Sequence, residues 1–124
     1  LHFRGDSAGA EAMLTRALEI DRRIGCEEGV ARDLGNLGLI PEATGDLERA
    51  EALYRQALEV AERIGFLPVM ASKLANLGDI ALARGRPDEA RELWTRAVKH
   101  FEQLGDARRR EEFAAKLAGL EARP

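Results

Sequence analysis

Residues 36–65 of this 124-residue chain read NLGLIPEATGDLERAEALYRQALEVAERIG, and the pattern returns forty residues later, at residues 76–105, as NLGDIALARGRPDEARELWTRAVKHFEQLG. Part of a third copy precedes them, because small residues recur in the same register. The matched pairs are Gly5 with Gly45, Ala10 with Ala50, Ala17 with Ala57, and Gly25 with Gly65. A period of about 20 to 50 residues indicates one supersecondary unit stacked on copies of itself. The chain is therefore predicted to be a repeat array.

Glycine divides each period into two helical segments. Gly45 and Gly85 supply the left-handed conformation that ends one helix, and Asp46 or Pro87 begins the next. Apolar residues recur at steps of three and four, which predicts amphipathic helices. The predicted helices span residues 7–24, 28–44, 47–63, 68–84, 87–104 and 107–122. Each unit is therefore expected to be a helical hairpin.

Small residues occupy positions where two helices of a hairpin must approach closely. These positions are Gly38, Gly78, Ala50, Ala90, Ala57 and Ala97. A larger side chain at any of them would push the two helices apart. We expect all six residues to be buried between helices.

The two full copies carry small and large residues at eight fixed offsets. In the first copy these are Leu34, Leu37, Gly38, Gly45, Ala50, Tyr54, Ala57 and Leu58. In the second they are Leu74, Leu77, Gly78, Gly85, Ala90, Trp94, Ala97 and Val98. Their order and spacing resemble the signature of the tetratricopeptide repeat. The forty-residue period is similar to the long-repeat branch that includes kinesin light chain.

The resemblance implies an all-α fold, an α-solenoid of antiparallel helical hairpins that forms a right-handed superhelix of about three repeats. One domain is expected over residues 1–124. Its predicted parts are a partial first repeat (1–25), a second repeat (26–65), a third repeat (66–105), and a C-terminal helix (106–124) that caps the array or starts another repeat.

An asparagine precedes the Leu-Gly pair in both copies, at Asn36 and Asn76. In the long-repeat branch this residue lines a concave groove, where its amide can hold a peptide backbone through a donor and an acceptor. Residues one helical turn away share that face. The peptide-binding groove is therefore predicted to include Asn36, Asn76, Arg32, Leu39, Ser72, Asp79 and, at the corresponding position of the last helix, Lys116. The alternative for the asparagines is that they cap or bridge neighbouring helices. For the residues around them, the alternative is an ordinary solvated surface.

Pro41 is the one departure inside the first full copy, because Ala81 occupies the same place in the next copy. Proline lacks an N–H and crowds the carbonyl of the residue four positions before it, here Leu37. We expect a kink or an early end of the helix near Ile40. A tolerated substitution and a bend that reshapes the groove are both compatible with this pattern.

The front of the chain lacks most of a helix that the later copies have. Leu1–Arg4 correspond to residues 41–44 and 81–84, so Gly5 and Asp6 are predicted to form a hairpin turn. The chain is interpreted as a fragment of a longer array. The side chains expected to be partly uncovered are Met13, Leu14, Ala17, Leu18 or their neighbours. An uncapped array end exposes an apolar patch, so we expect a homo-oligomer through this end, or a covering helix in the parent protein.

The composition limits the classes of partner that are expected. The 22 acidic and 19 basic residues give a net charge of -3 and are interspersed along the helices, which argues against nucleic acid binding. No apolar run is long enough to cross a bilayer, and no leader sequence opens the chain, so no membrane association is expected. A single cysteine, Cys26, fits a reducing, cytoplasmic location and cannot form an internal disulfide.

Catalysis has little support in the sequence. His2 and His100 are far apart and no nucleophile lies near a base in the pattern, so no catalytic residue, metal site or cofactor is predicted. Arg108, Arg109 and Arg110 form the one basic run, and the acidic residues that follow favour a solvated helix face.

Two functions remain open at this stage. The first is a protein-protein interaction module that binds a peptide or helical segment of a partner in its concave groove. The alternative is a structural or regulatory segment that serves intramolecular packing or homo-oligomerisation inside a larger sensor or transcriptional regulator.

Overall fold

A computed structural model describes residues 3–122 and the side chains of residues 7–122. These residues form six α-helices and no strand, so the predicted all-α class is confirmed. The helices are α1 (Phe3–Ile24), α2 (Glu27–Ala43), α3 (Leu47–Ile64), α4 (Leu67–Ala83), α5 (Pro87–Leu104) and α6 (Ala107–Glu121). The chain divides into two compact units, Leu1–Ile64 and Gly65–Pro124. The assignment of residues 1–124 to one continuous array stays a prediction.

Glycine sets the helix ends as the sequence predicts. Five glycines have φ between 71 and 88°, the left-handed region that side chains with a Cβ rarely adopt. They are Gly25, Gly45, Gly65, Gly85 and Gly105. Every helix ends within one residue of its predicted position, and every helix except α1 also starts within one residue of it.

The start of α1 corrects the predicted turn at Gly5 and Asp6, because the helix runs through both residues from Phe3. Glycine permits a turn but does not require one. In the later hairpins the glycine turn joins two helices that pack on each other, whereas Gly5 lies within one continuous helix. Leu1 and His2, on which the interpretation of a preceding helix partly rests, lie outside the described residues.

In the first unit, α2 lies against both α1 and α3. Tyr54 of α3 is fully buried against Gly38 of α2, where a Cβ would lie 2.6 Å from Tyr54 Cε1. The Tyr54 hydroxyl donates to Glu42 Oε1 at 2.5 Å. Ala50 and Ala57 are completely buried on the same helix as Tyr54. The predicted close approach of α2 and α3 is confirmed.

The second unit repeats this packing with a larger aromatic residue. In this unit α5 lies against α4 and α6, and Trp94 of α5 packs on Gly78 of α4. A Cβ at Gly78 would lie 2.3 Å from Trp94 Cδ1. Ala90 and Ala97 of α5 are completely buried. All six small residues are therefore buried between helices, as the sequence predicts.

Pro41 does not end its helix early. Helix α2 continues to Ala43, and α4 ends at the matching residue, Ala83. The Asp46 backbone N–H donates to the Pro41 carbonyl oxygen at 2.8 Å, and Arg86 makes the same 2.8 Å bond to the Ala81 carbonyl. Proline therefore removes a donor in the last turn but leaves the bond that closes the helix. The expectation of an early end was wrong, and the expected kink near Ile40 stays a prediction.

Candidate functional site

An ion pair joins two of the predicted groove residues in the second unit. Lys116 Nζ of α6 lies 3.0 Å from Asp79 Oδ1 of α4. The two side chains are 37% and 35% exposed, so both can reach a ligand from solvent. The sequence placed these residues on one surface, and the structure brings them into direct contact.

Lys116 also lies over two aromatic rings. Its Nζ atom is 4.5 Å from the centroid of the Phe113 ring and 5.6 Å from the centroid of the Trp94 ring. A cation within about 6 Å of a ring centroid is attracted by the negative face of the ring. The ammonium group is therefore held by Asp79 on one side and by ring faces on the other.

A pocket of about 320 Å³ opens beside this pair. It is lined by Asp79, Leu82, Trp94, Lys116, Gly119 and Leu120. The charged residues supply polar groups, while the leucines and the indole supply apolar walls. A Cβ built at Gly119 would have no neighbour within 4 Å, so this wall is open. An apolar site with a few polar groups is the usual form of a ligand pocket in proteins.

Trp94 is fixed within the second unit by packing and by a hydrogen bond. Gly78 leaves room for the indole, and Trp94 Nε1 donates to the Ala75 carbonyl oxygen at 3.3 Å. The ring is 2% exposed. It also lies 6.2 Å from the Phe113 ring, measured between centroids. The indole is therefore a rigid part of the pocket.

Asn76 lies on the same helix as Asp79 and is partly exposed. In the amide orientation that satisfies both ends, its nitrogen donates to the Ser72 carbonyl oxygen at 3.2 Å. Its oxygen accepts from Lys73 Nζ at 3.1 Å. An amide has two N–H donors and two acceptor sites. One donor and one acceptor site of Asn76 thus remain for a ligand.

The other predicted groove residues lie on α2, in the first unit. Arg32, Asn36 and Leu39 are all exposed there. Leu39 is 47% exposed, which is a large fraction for a leucine. Their contact with a peptide remains a prediction.

Four residues of the pocket were not predicted from sequence as site residues, namely Leu82, Trp94, Gly119 and Leu120. Trp94 was recognised, but as a core position of its hairpin. The sequence feature that could have indicated the pocket is the spacing in α6, where Phe113 and Lys116 are three residues apart and share a face. That spacing does not reveal which helix lies opposite.

His100 and Arg109, which were considered for catalysis or charge binding, have local partners. His100 Nδ1 lies 2.7 Å from Gln103 Oε1, whereas His2 is outside the described residues. Arg109 Nε lies 3.0 Å from Asp106 Oδ2. Cys26 is exposed and free. Within the described range, no three His, Cys, Asp or Glu side chains are grouped to hold a metal ion.

Comparison with known families decides the identity. One family model described as tetratricopeptide repeat matches residues 1–63, and a second of the same description matches residues 36–103 and 75–118. The chain belongs to the tetratricopeptide repeat family. Tetratricopeptide repeats generally serve as protein-interaction modules. The likeness of these tetratricopeptide repeats to the kinesin light chain type stays a prediction.

Among solved structures, the tetratricopeptide repeat chain is similar to the crystal structure of BtubC (BKLC) from P. vanneervenii. The two are 24% identical with a TM-score of 0.66, and the match covers 95% of this chain and 57% of that chain. This chain thus spans little more than half the length of that protein, and the likeness shows the fold alone. A search of curated proteins found no match.

The tetratricopeptide helices were also compared with the requirements of a membrane span. Across residues 3–122, no helix combines the length and the apolar character needed to cross a membrane.

Proposed function

We propose that this tetratricopeptide repeat chain is a protein-protein interaction module that binds a peptide or helical segment of a partner on the surface formed by α4 and α6. The observation that carries the proposal is the open pocket beside the Asp79–Lys116 pair. Its role is binding without catalysis.

The pocket and Asn76 bind different parts of the partner. An apolar side chain of the partner enters between Leu82, Trp94 and Leu120 and is removed from water there. The burial of such a side chain contributes about 1.5–3 kcal/mol. The remaining donor and acceptor of Asn76 bind the partner's backbone, each such bond contributing about 0.5–1.5 kcal/mol.

Replacing Gly119 by leucine is expected to block the pocket without harming the fold. The added side chain starts in open space, and leucine has a higher helix propensity than glycine. Peptides selected from a random library on the wild-type chain should bind Gly119→Leu about tenfold more weakly or worse, a loss of about 1.4 kcal/mol or more. Titration calorimetry or fluorescence anisotropy measures this change.

The matched control is Gly9→Leu, which adds the same side chain to another helical glycine with nothing within 4 Å of its Cβ. This variant should bind the selected peptides as the wild type does. Asn76→Ala should weaken binding by about two- to tenfold through the lost hydrogen bonds. Peptides that bind wild type and Gly119→Leu with equal affinity would contradict the proposed function.

A second function, packing through α1, is favoured by a different observation. Met13 is 74% exposed, Ile24 is 69% exposed and Ile20 is 47% exposed. Their spacing of seven and four residues places all three on one face of α1. Leu18, by contrast, is buried. We propose that this apolar stripe, Met13, Ile20 and Ile24, supports self-association or packing within a larger assembly.

Changing the stripe is expected to weaken self-association. Sedimentation velocity over a concentration series should show the wild-type chain forming dimers, and Met13→Asp with Ile24→Asp should shift the sample towards monomer by about tenfold in dissociation constant. Leu104→Asp, which alters an exposed leucine of α5, should leave association unchanged. A strict monomer at every concentration of wild type would count against this second function.

A further inference from the structure

Two carboxyl groups face each other where α1 lies against α2. They belong to Asp21 and Asp33. Eighty residues later the same register places Phe101 on α5 and Phe113 on α6. Those two rings stack with their centroids 5.8 Å apart. One pair of helices therefore packs through acidic side chains at positions where another pair uses aromatic ones.

The Asp33 carboxyl is buried and incompletely bonded. The residue is 8% exposed, and its Oδ2 atom has no hydrogen-bond partner within the described part of the chain. The half-buried Asp21 carboxyl lies against the α2 backbone at Gly29, one helical turn before Asp33, and a hydrogen bond to it raises the pKa of Asp33. Ionised carboxylates only accept hydrogen bonds. A bond between these two groups therefore requires one of them to carry a proton.

Gly29 allows this close approach. A Cβ at Gly29 would lie 2.5 Å from Asp21 Oδ2, so the carboxyl of Asp21 rests directly on the backbone of α2. Asp33 follows Gly29 by one helical turn on the same face. Because Gly29 has no side chain, the Asp21 carboxyl fits between α1 and α2, one helical turn from Asp33.

Neighbouring groups act on the pKa of Asp33 in opposite directions. Burial, the hydrogen bond to Asp21 and the repulsion from Asp21 raise the pKa of Asp33 from its ordinary value of 3.8 to about 6, while Arg32 acts in the opposite direction. Asp21 also borders a cavity of about 390 Å³ between the three helices. The charged groups that line this cavity beside it are Arg22 of α1, Glu27 of α2, and Glu59 and Arg63 of α3. Arg63 is paired with Glu27.

We propose that Asp21 and Asp33 share one proton across the contact between α1 and α2, and that release of this proton between mildly acidic and neutral pH weakens the packing of α1. The raised pKa means that the folded chain holds the proton more tightly than the unfolded chain does. The stabilisation is complete below about pH 3.8 and is lost as the pH rises through about 6. Above that pH, two like charges oppose each other in a buried contact.

Direct titration is the first test. Carbon NMR of the aspartate carboxyl groups in the full chain should show that the pair titrates with one apparent pKa near 6. Asp33→Asn should remove this transition. If both carboxyls of the wild type titrate below about 4.5, the proposal is overturned.

Stability gives a second, independent readout. With a pKa of about 6 in the folded chain and 3.8 in the unfolded one, the unfolding equilibrium constant of the wild type should rise about tenfold between about pH 5 and about pH 7.5 through this pair. Asp33→Asn should lack this tenfold change. Asp88→Asn, which removes an aspartate whose side chain is 93% exposed, should keep it.

Amide hydrogen exchange identifies where the change occurs. After correction for the intrinsic rate, the amides of α1 should exchange faster at the higher pH in the wild type and in Asp88→Asn, but equally at both pH values in Asp33→Asn. If Asp33→Asn does not fold, Asp21→Asn removes the same repulsion and takes its place. A wild-type chain whose α1 protection and stability do not change across this pH range would refute the proposal.

Discussion

Replacing Trp94 by alanine is expected to lower the free energy of unfolding by about 3–5 kcal/mol. The indole is 2% exposed, so its removal loses apolar burial and leaves a cavity that rigid helices cannot close. The ring also contacts Phe113 and donates to the Ala75 carbonyl, and both interactions disappear with it. Urea denaturation followed by circular dichroism measures the loss.

Thr95→Ala is the matched control for Trp94→Ala, because it truncates the neighbouring exposed residue of α5. Its effect should stay within about 0.5 kcal/mol. A loss of less than about 1 kcal/mol for Trp94→Ala would contradict the packing described for the second unit. The truncation should also enlarge the candidate pocket, because the indole forms part of its lining.

Most of the fold could be predicted because its signals are local. A glycine in the left-handed conformation ends a helix wherever it occurs, and the apolar spacing of three and four residues identifies the helices between such glycines. The close approach of the helices at Gly38 and Gly78 followed from small residues that recur forty residues apart. The start of α1 was missed because Gly5 was assigned the role that its counterparts have between two packed helices.

The candidate site was only partly predictable. Register placed Asp79 and Lys116 on one surface, yet the 3.0 Å contact between their side chains depends on how closely α4 and α6 pack around α5. Leu82 and Gly119 have no polar group that marks them in the sequence, and they join the pocket through that same packing. Sequence periodicity gives the face of a helix but not the distance to its neighbour.

The Asp21–Asp33 contact shows a signal that was available but unused. Comparison over two periods sets these aspartates against Phe101 and Phe113, a change from aromatic to acidic at two positions that face each other. Charged residues are rarely buried unless they are paired. A reversal of polarity at both positions of one helix contact can therefore indicate a titrating pair.

Replacing Gly78 by alanine is expected to destabilise the chain by about 1–3 kcal/mol, although alanine is the better helix former. The new Cβ would lie 2.3 Å from Trp94 Cδ1 and 2.4 Å from Nε1. The indole cannot turn aside, since it is buried and bonded to the Ala75 carbonyl. The helices must therefore separate, at a cost in packing that exceeds the gain in helix propensity of about 1 kcal/mol.

A double-mutant cycle separates steric conflict from any other effect of Gly78→Ala. In the Trp94→Ala background the obstructing ring is absent, so the same substitution should become stabilising by about 0.5–1 kcal/mol. Gly119→Ala, with no neighbour within 4 Å of its Cβ, should stabilise the chain even when Trp94 is present. Equal destabilisation by Gly78→Ala with and without Trp94 would show that the glycine is required for some reason other than the indole. A change of sign would establish that Gly78 and Trp94 act as one packing unit, which holds α4 and α5 of the second unit together beside the pocket.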